Sequence, residues 1–333
     1  MPDIKKFMDK SLSAVQRGAK SFNETVAPKI GKAVNDATES AGKAIADGSD
    51  KIASVGKNAK DTVMNQLDVN HDGNGDIVDI ITLGLKTPGI KVNREQFLKK
   101  ELTIHYDEET VKKAIAKTPV AAKIPAEDID KIADAVIQYE RYFVSGISTA
   151  LGAPGGAAMV ATIPADIIQY YGYMLRAAQK LMYLYGFPQI VSEDDETQID
   201  SATMNLLVVA MGVMFGVAGA NNAVKAMAKA LGNGVEKQLM RRALTKGTIY
   251  PIVKSIAKWF GVRMTKEVFS GFFKKAIPVV GGVIGGGITY VSFKPCCERL
   301  KESLKDTKLS NVNHKETKEE SAIYEAIVQE IEE

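Results

Sequence analysis

Between Asp68 and Asp79 the chain reads D-V-N-H-D-G-N-G-D-I-V-D, the run in its 333 residues whose residue types and spacing point most specifically to one chemistry. Oxygen-bearing side chains fall at loop positions 1, 3, 5, 9 and 12 (Asp68, Asn70, Asp72, Asp76 and Asp79), with Asn74 among them and Gly73 at position 6. A hard cation such as Ca²⁺ takes about six to eight oxygens, which alternate side chains of a tight loop supply, and a glycine permits the sharp turn. Asp79 stands where an EF-hand carries Glu, as in dockerin-type loops, and Gly75 stands where an aliphatic residue would pack against a partner loop. No second loop of this pattern occurs, so the site would be unpaired and of modest affinity. The competing reading is a polar turn between helices, with Asp and Asn as caps.

No other local signature proposes a reaction. The sequence contains no phosphate-binding G-x-x-x-x-G-K-[ST], no H-E-x-x-H and no G-x-S-x-G, and its three histidines (His71, His105, His314) are scattered. Its two cysteines, Cys296 and Cys297, are adjacent, a spacing that suits neither a structural disulfide nor a metal site and points to a reducing compartment. The first ten residues, M-P-D-I-K-K-F-M-D-K, lack the apolar stretch of a signal peptide, so the expected location is the cytoplasm or its membrane face.

The elements that must position these residues read as helices throughout. Residues 4 to 63 carry an eleven-residue repeat, with Ile4, Val15, Val26, Ala37, Gly48 and Ala59 in one row and Met8, Ala19, Ile30, Ala41, Ile52 and Val63 in another. Eleven residues over three turns keep both rows on one face of a nearly straight helix. Such an arm either lies on lipid or packs loosely along the main domain. After the loop, Ile77 to Leu85 reads as a short helix stopped by Thr87-Pro88-Gly89, and Glu95 to Glu101 as a further turn or helix. From Pro125 onward Ile129, Ile132, Val136, Tyr139 and Phe143 recur at helical spacing, leading into a glycine-rich stretch from Gly146 to Gly156. Another helix, Ala165 to Tyr185, should end at Gly186 and Pro188. β-branched runs are short, so the fold class is all-α: a multi-helix bundle with glycine-rich apolar helices and a long N-terminal amphipathic arm.

Two segments, Ala202–Ala220 and Ala276–Phe293, approach the length and apolarity of a membrane helix and carry small-xxx-small spacing (Gly212/Gly216, Gly282/Gly286). Buried helices of a soluble bundle fit them as well. Between them, residues 223 to 275 hold twelve Lys or Arg against two Glu. There Ile252, Ile256, Trp259, Phe260, Val268, Phe272 and Phe273 alternate with lysines and Arg263, which suits either an interfacial helix on anionic lipid or a core-facing helix with a solvated basic side. Nucleic acid is disfavoured because no recognised motif accompanies the charge. Residues 301 to 333 hold nine acids against five lysines and end in an amphipathic helix that either docks on the basic stretch or stays a tail.

The run from Leu151 to Gly186, L-G-A-P-G-G-A-A-M-V-A-T-I-P-A-D-I-I-Q-Y-Y-G-Y-M-L-R-A-A-Q-K-L-M-Y-L-Y-G, resembles the signature of the bacterial EcsC family, in which a glycine-rich segment precedes an Ala-Asp pair, an Arg ten residues on and a Tyr-Gly end. Here these are Ala165-Asp166, Arg176 and Tyr185-Gly186, and the later A-I-P-V-V-G-G-V-I-G-G-G-I-T-Y is similar to the family's C-terminal glycine-rich segment. The resemblance spans roughly residues 100 to 300 and implies no agreed activity. Ten positions is close to three helical turns, so Asp166 and Arg176 share a face with Gln169, Tyr170 and Tyr173. They either join a buried polar network or line a pocket for a small molecule or lipid headgroup.

The expected organisation is therefore an amphipathic arm (1–66), a calcium-loop segment (67–100), an EcsC-like helical domain (101–300) and an acidic tail (301–333). Three functions follow: a non-enzymatic protein binding an anionic membrane surface, a calcium-responsive interaction protein, or an enzyme working around Asp166 and Arg176. If the loop binds Ca²⁺, the cation raises the melting temperature of the full chain and Asp68→Ala with Asp72→Ala abolishes that shift; a shift that survives the double substitution sinks the assignment.

Overall fold

The computed structural model describes residues 77–152, 158–191, 201–235, 251–260 and 281–332. The N-terminal arm and loop positions 68 to 76 lie outside them. The described residues are helical, without strand, and bear out the all-α class.

Helix α1 (Ile77–Lys86) ends where the Thr87-Pro88-Gly89 turn was expected: the Thr87 amide donates to the Gly84 carbonyl at 3.0 Å and Gly89 takes φ +83°. Asn93 caps α2 (Arg94–Leu102) by accepting from the Gln96 amide at 2.9 Å, and Asp107 caps α3 (Glu108–Ala116) through the Thr110 amide. The short α3 was not foreseen. Helix α4 (Ala126–Gly152) begins just after Pro125 and runs into the glycine-rich stretch as far as Gly152. Helix α5 (Ala158–Leu184) starts seven residues before the expected Ala165. It closes as foreseen, with Gly186 at φ +95° and the Phe187 amide reaching back to the Met182 carbonyl at 2.9 Å.

The same closure cuts the first membrane candidate. Helix α6 (Ser201–Met214) stops because Gly216 adopts φ +71° and the Val217 amide bonds the Gly212 carbonyl at 2.8 Å; the chain then turns at Gly219 into α7 (Ala220–Ala230). Gly216, half of the supposed packing motif, is thus a helix cap. Gly212 makes room for Ile256 of a helical stretch over residues 251–260. Helix α8 (Gly281–Lys305) follows, with Pro295 inside it, and α9 (Lys318–Glu332) closes the chain. No helix among the described residues is long and apolar enough to cross a membrane.

Helix α5 is the axis of the assembly. α1, α2, α4, α6 and α8 all pack on it, so nearly every side chain from Tyr171 to Phe187 is buried. Its polar groups consequently find partners inside. Fully buried Gln179 accepts from the Val92 amide at 3.1 Å and donates to the Ile90 carbonyl at 3.0 Å, which ties the α1–α2 connection to α5. Helices α4 and α8 run antiparallel, held by Lys305–Asp130 (2.8 Å), Lys301–Asp134 (2.7 Å) and Arg141, whose Nε donates to the Tyr290 carbonyl (2.7 Å). The Tyr185 hydroxyl donates to Asp130 at 2.7 Å and adds α5 to that end.

Helix α1 approaches α5 closely at a pair of glycines. A Cβ on Gly84 would stand 3.3 Å from the Gly172 Cα and 3.2 Å from Leu175 Cδ1. Gly84→Val should therefore cost about 1–3 kcal/mol in urea unfolding as the helices are forced apart. An unchanged midpoint would mean that α1 is not seated there.

Candidate functional site

Of the expected calcium ligands only Asp79 lies among the described residues. It sits in the first turn of α1 and is 1% exposed. Asp68, Asn70, Asp72, Asn74 and Asp76 lie outside them, and no group of three or more His, Cys, Asp or Glu suited to a metal occurs among the described residues. The backbone of Asp166 belongs to α5, ten residues before Arg176.

Arg176 finds its carboxylate on another helix. Its Nε lies 3.3 Å from Oε1 of Glu140 in α4, and the same oxygen receives Lys180 Nζ at 2.5 Å. Glu140 is wholly buried, Lys180 nearly so, and Arg176 lies at the edge of the cluster. Aromatic faces complete the walls: Lys180 lies over Phe97 and Tyr139, and Arg176 over Phe143 and Tyr173, each between 5.5 and 5.6 Å from the ring centre. Burial pushes the Glu140 carboxyl up, but Lys180 and Arg176 outweigh it and hold the group below the usual carboxylate range. Burial dominates at Lys180 and lowers its pKa despite the carboxylate, and burial pushes the Tyr173 phenol up to about 12. Glu140 Oε2 has no hydrogen-bond partner.

Neither Glu140 nor Lys180 was singled out from the sequence. The signal was present: Glu140 falls four residues after Val136 and eleven after Ile129, on the apolar stripe of α4, and Lys180 follows Arg176 by four on α5. A charge on a buried stripe implies a partner on a facing helix, but the sequence does not say which.

Just beyond this cluster the bundle changes character. From Tyr142 to Ala165, and again from Ala276 to Phe293, the sequence carries no charged residue. The antiparallel pairing of α4 and α8, and the turn-back from α4 to α5, bring the helical ends Val144–Gly152, Ala158–Ala165 and Gly281–Tyr290 to the same end of the molecule. At about 1.5 Å per residue each extends roughly 12–15 Å. A belt of rings lies at their base. Tyr142 stands 5.7 Å from Tyr290, Tyr170 donates to or accepts from Ser292 at 2.9 Å, and Tyr171, Phe215 and Trp259 follow at centroid spacings of 5.7 and 5.9 Å. Tyr142 and Val291 are 55% and 69% exposed, and the Arg141 guanidinium stacks 3.4 Å from the Tyr290 ring.

The basic stretch behaves differently from an interfacial helix where it is described. Val253, Ile256 and Phe260 are buried against the bundle while Lys254 and Lys258 face solvent, so the core-facing alternative holds for residues 251–260. Lys225 and Lys229 pair with Asp306 and Glu316 of the C-terminal segment. An open cleft of about 770 Å³ lies beside α7, but its polar walls are tied to each other: Arg299 Nη1 donates to the Met214 carbonyl at 3.0 Å and Ser303 to Asn221 at 2.5 Å.

Glu140→Gln leaves Lys180 buried without its counter-ion and should cost about 3–5 kcal/mol in chemical denaturation. Arg176→Met, which leaves the Glu140–Lys180 pair intact, should cost about 1 kcal/mol or less; equal losses would show that Arg176 is the main partner. Scans against protein-family models, curated proteins and solved structures return no match to this chain.

Proposed function

We propose that the protein associates with an anionic membrane surface by inserting the charge-free ends of α4, α5 and α8, and that it acts as a non-enzymatic, peripheral helical module. The observation that carries this reading is the coincidence of three uncharged helical ends beyond the paired rings of Tyr142 and Tyr290. Apolar helix ends of about 12–15 Å reach into one leaflet without crossing it, and amphipathic rings favour the headgroup level at which they would then sit. Exposed Tyr142 and Val291 are otherwise a standing cost in water. Arg141, stacked on Tyr290, supplies a cation for anionic headgroups. The contact differs from the aromatic-lysine stretch considered from the sequence, since the rings at residues 251–260 that are described pack largely inward.

The EcsC resemblance fits the same proposal. Its glycine-rich segment, residues 152 to 156, lies between the uncharged ends of α4 and α5, and its Asp166 is the first charge met on leaving them. An inserted hairpin of this kind needs small residues where helices meet and no charge until the interface.

The test is co-sedimentation of the full chain with vesicles of phosphatidylcholine, with and without phosphatidylglycerol. The wild type should pellet with the anionic vesicles and be partly released by high salt. Tyr142→Glu with Val291→Glu, both at exposed positions, should weaken binding by about tenfold or more because two carboxylates would have to enter the interface. A wild type that stays in the supernatant, or a double variant that binds equally, removes the proposal.

A further inference from the structure

The C-terminal segment carries a second buried charge cluster, remote from the uncharged tip. Beyond α8 the chain turns through residues 306–317 before α9, and the His314 side chain in this turn is 1% exposed. Its Nδ1 lies 2.9 Å from Oδ1 of Asp306 and its Nε2 lies 2.8 Å from Oε1 of Glu320, a fully buried residue in the first turn of α9. Both ring nitrogens thus face carboxylate oxygens. Only the doubly protonated imidazolium can donate to both; either neutral tautomer sets one lone pair against a carboxylate. Glu320 Oε2 has no hydrogen-bond partner, so the imidazolium is the contact that compensates this buried acid.

The groups facing the ring come from three elements. Asp306, just after α8, also binds Lys225 of α7 through its other oxygen. Lys229 of α7 meets Glu316 at 2.6 Å and lies 3.8 Å from the centre of the Tyr324 ring of α9, whose hydroxyl accepts from Asn233 at 2.9 Å; Lys308 adds a positive field at Glu316. On α9 itself Glu320 is the acid in contact. Counting the ring, Asp306, Glu320 and Lys225, the cluster is neutral when His314 is protonated and carries one net negative charge when it is not.

We propose that His314 is a protonation-controlled latch: as an imidazolium it ties Asp306 to Glu320 and holds α9 on α7, and loss of one proton releases the helix. Burial alone would favour the neutral ring, but the hydrogen bonds and charges of Asp306 and Glu320 prevail and raise the pKa above that of a free histidine. A pKa raised by folding contributes stability that is complete below the unfolded value of about 6.5 and is lost as pH rises through the folded value. Docking of α9 therefore weakens as pH rises above the ordinary histidine value. Its release frees Lys229 from the Tyr324 ring while leaving it paired with Glu316.

The test is amide hydrogen exchange of the full chain across pH 6 to 9, corrected for intrinsic exchange rates, comparing protection within α9 with protection within α5. In the wild type the protection of α9 should fall by about tenfold or more as pH rises while α5 stays constant. Glu320→Gln removes the buried acid, and with it the requirement for a charged ring, so α9 should stay docked with a flat pH profile. His314→Gln should show the weakened, pH-independent docking that the wild type reaches at high pH. A wild type whose α9 protection does not change with pH overturns the latch, as does a pH dependence that survives in Glu320→Gln.

Discussion

Burial of α5 from Tyr171 to its C-terminal end is the constraint from which the rest of the arrangement follows. From Tyr171 onward a helix with five neighbours has little solvated face on which to place a polar side chain, so the polar groups of that stretch are met from other elements. Gln179 meets the α1–α2 connection, the Tyr183 hydroxyl accepts from the Ile190 amide, and Lys180 with Arg176 meets Glu140. These contacts fix the register of α5 against its neighbours. Apolar packing alone would leave that register open, because Ala, Leu and Met side chains at helical spacing fit several rotations nearly as well.

The two ends of this axis are opposite in character. At one end Asp130, Asp134, Lys301, Lys305 and the Tyr185 hydroxyl form a solvated ionic tie among α4, α5 and α8. At the other the same three helices extend without charge beyond a belt of aromatic rings. The ionic end ties the three helices together through side chains, whereas the sequence of the other end offers no charge for such a tie.

Charge counted along the chain overstates the field that the folded protein presents. The excess of Lys and Arg between residues 223 and 275 is partly consumed at home, since Lys225 and Lys229 are matched by Asp306 and Glu316. The acidic C-terminal segment is correspondingly an internal partner of α7, to which α9 is joined also through Tyr324 and Asn233. The opposite signs of the two segments were plain in the sequence; their pairing required the turn after α8 to bring residues about eighty positions apart into contact.

What the sequence determined by itself was local. Helix periodicity from Ile129 to Phe143, the Thr87-Pro88-Gly89 stop and the Gly186 closure depend on residues within a few positions of one another, where backbone preference and capping suffice. One local reading failed for a physical reason: Gly216, taken with Gly212 as a helix-packing pair, ends α6 because its backbone takes a positive φ, which hydropathy averaged along the chain does not register. Only the tertiary structure decided which charges meet. Arg176 pairs with Glu140 across helices, and His314 bridges Asp306 and Glu320 around a turn. Coulomb attraction and desolvation depend on distances in space, and those are fixed only after the helices have packed.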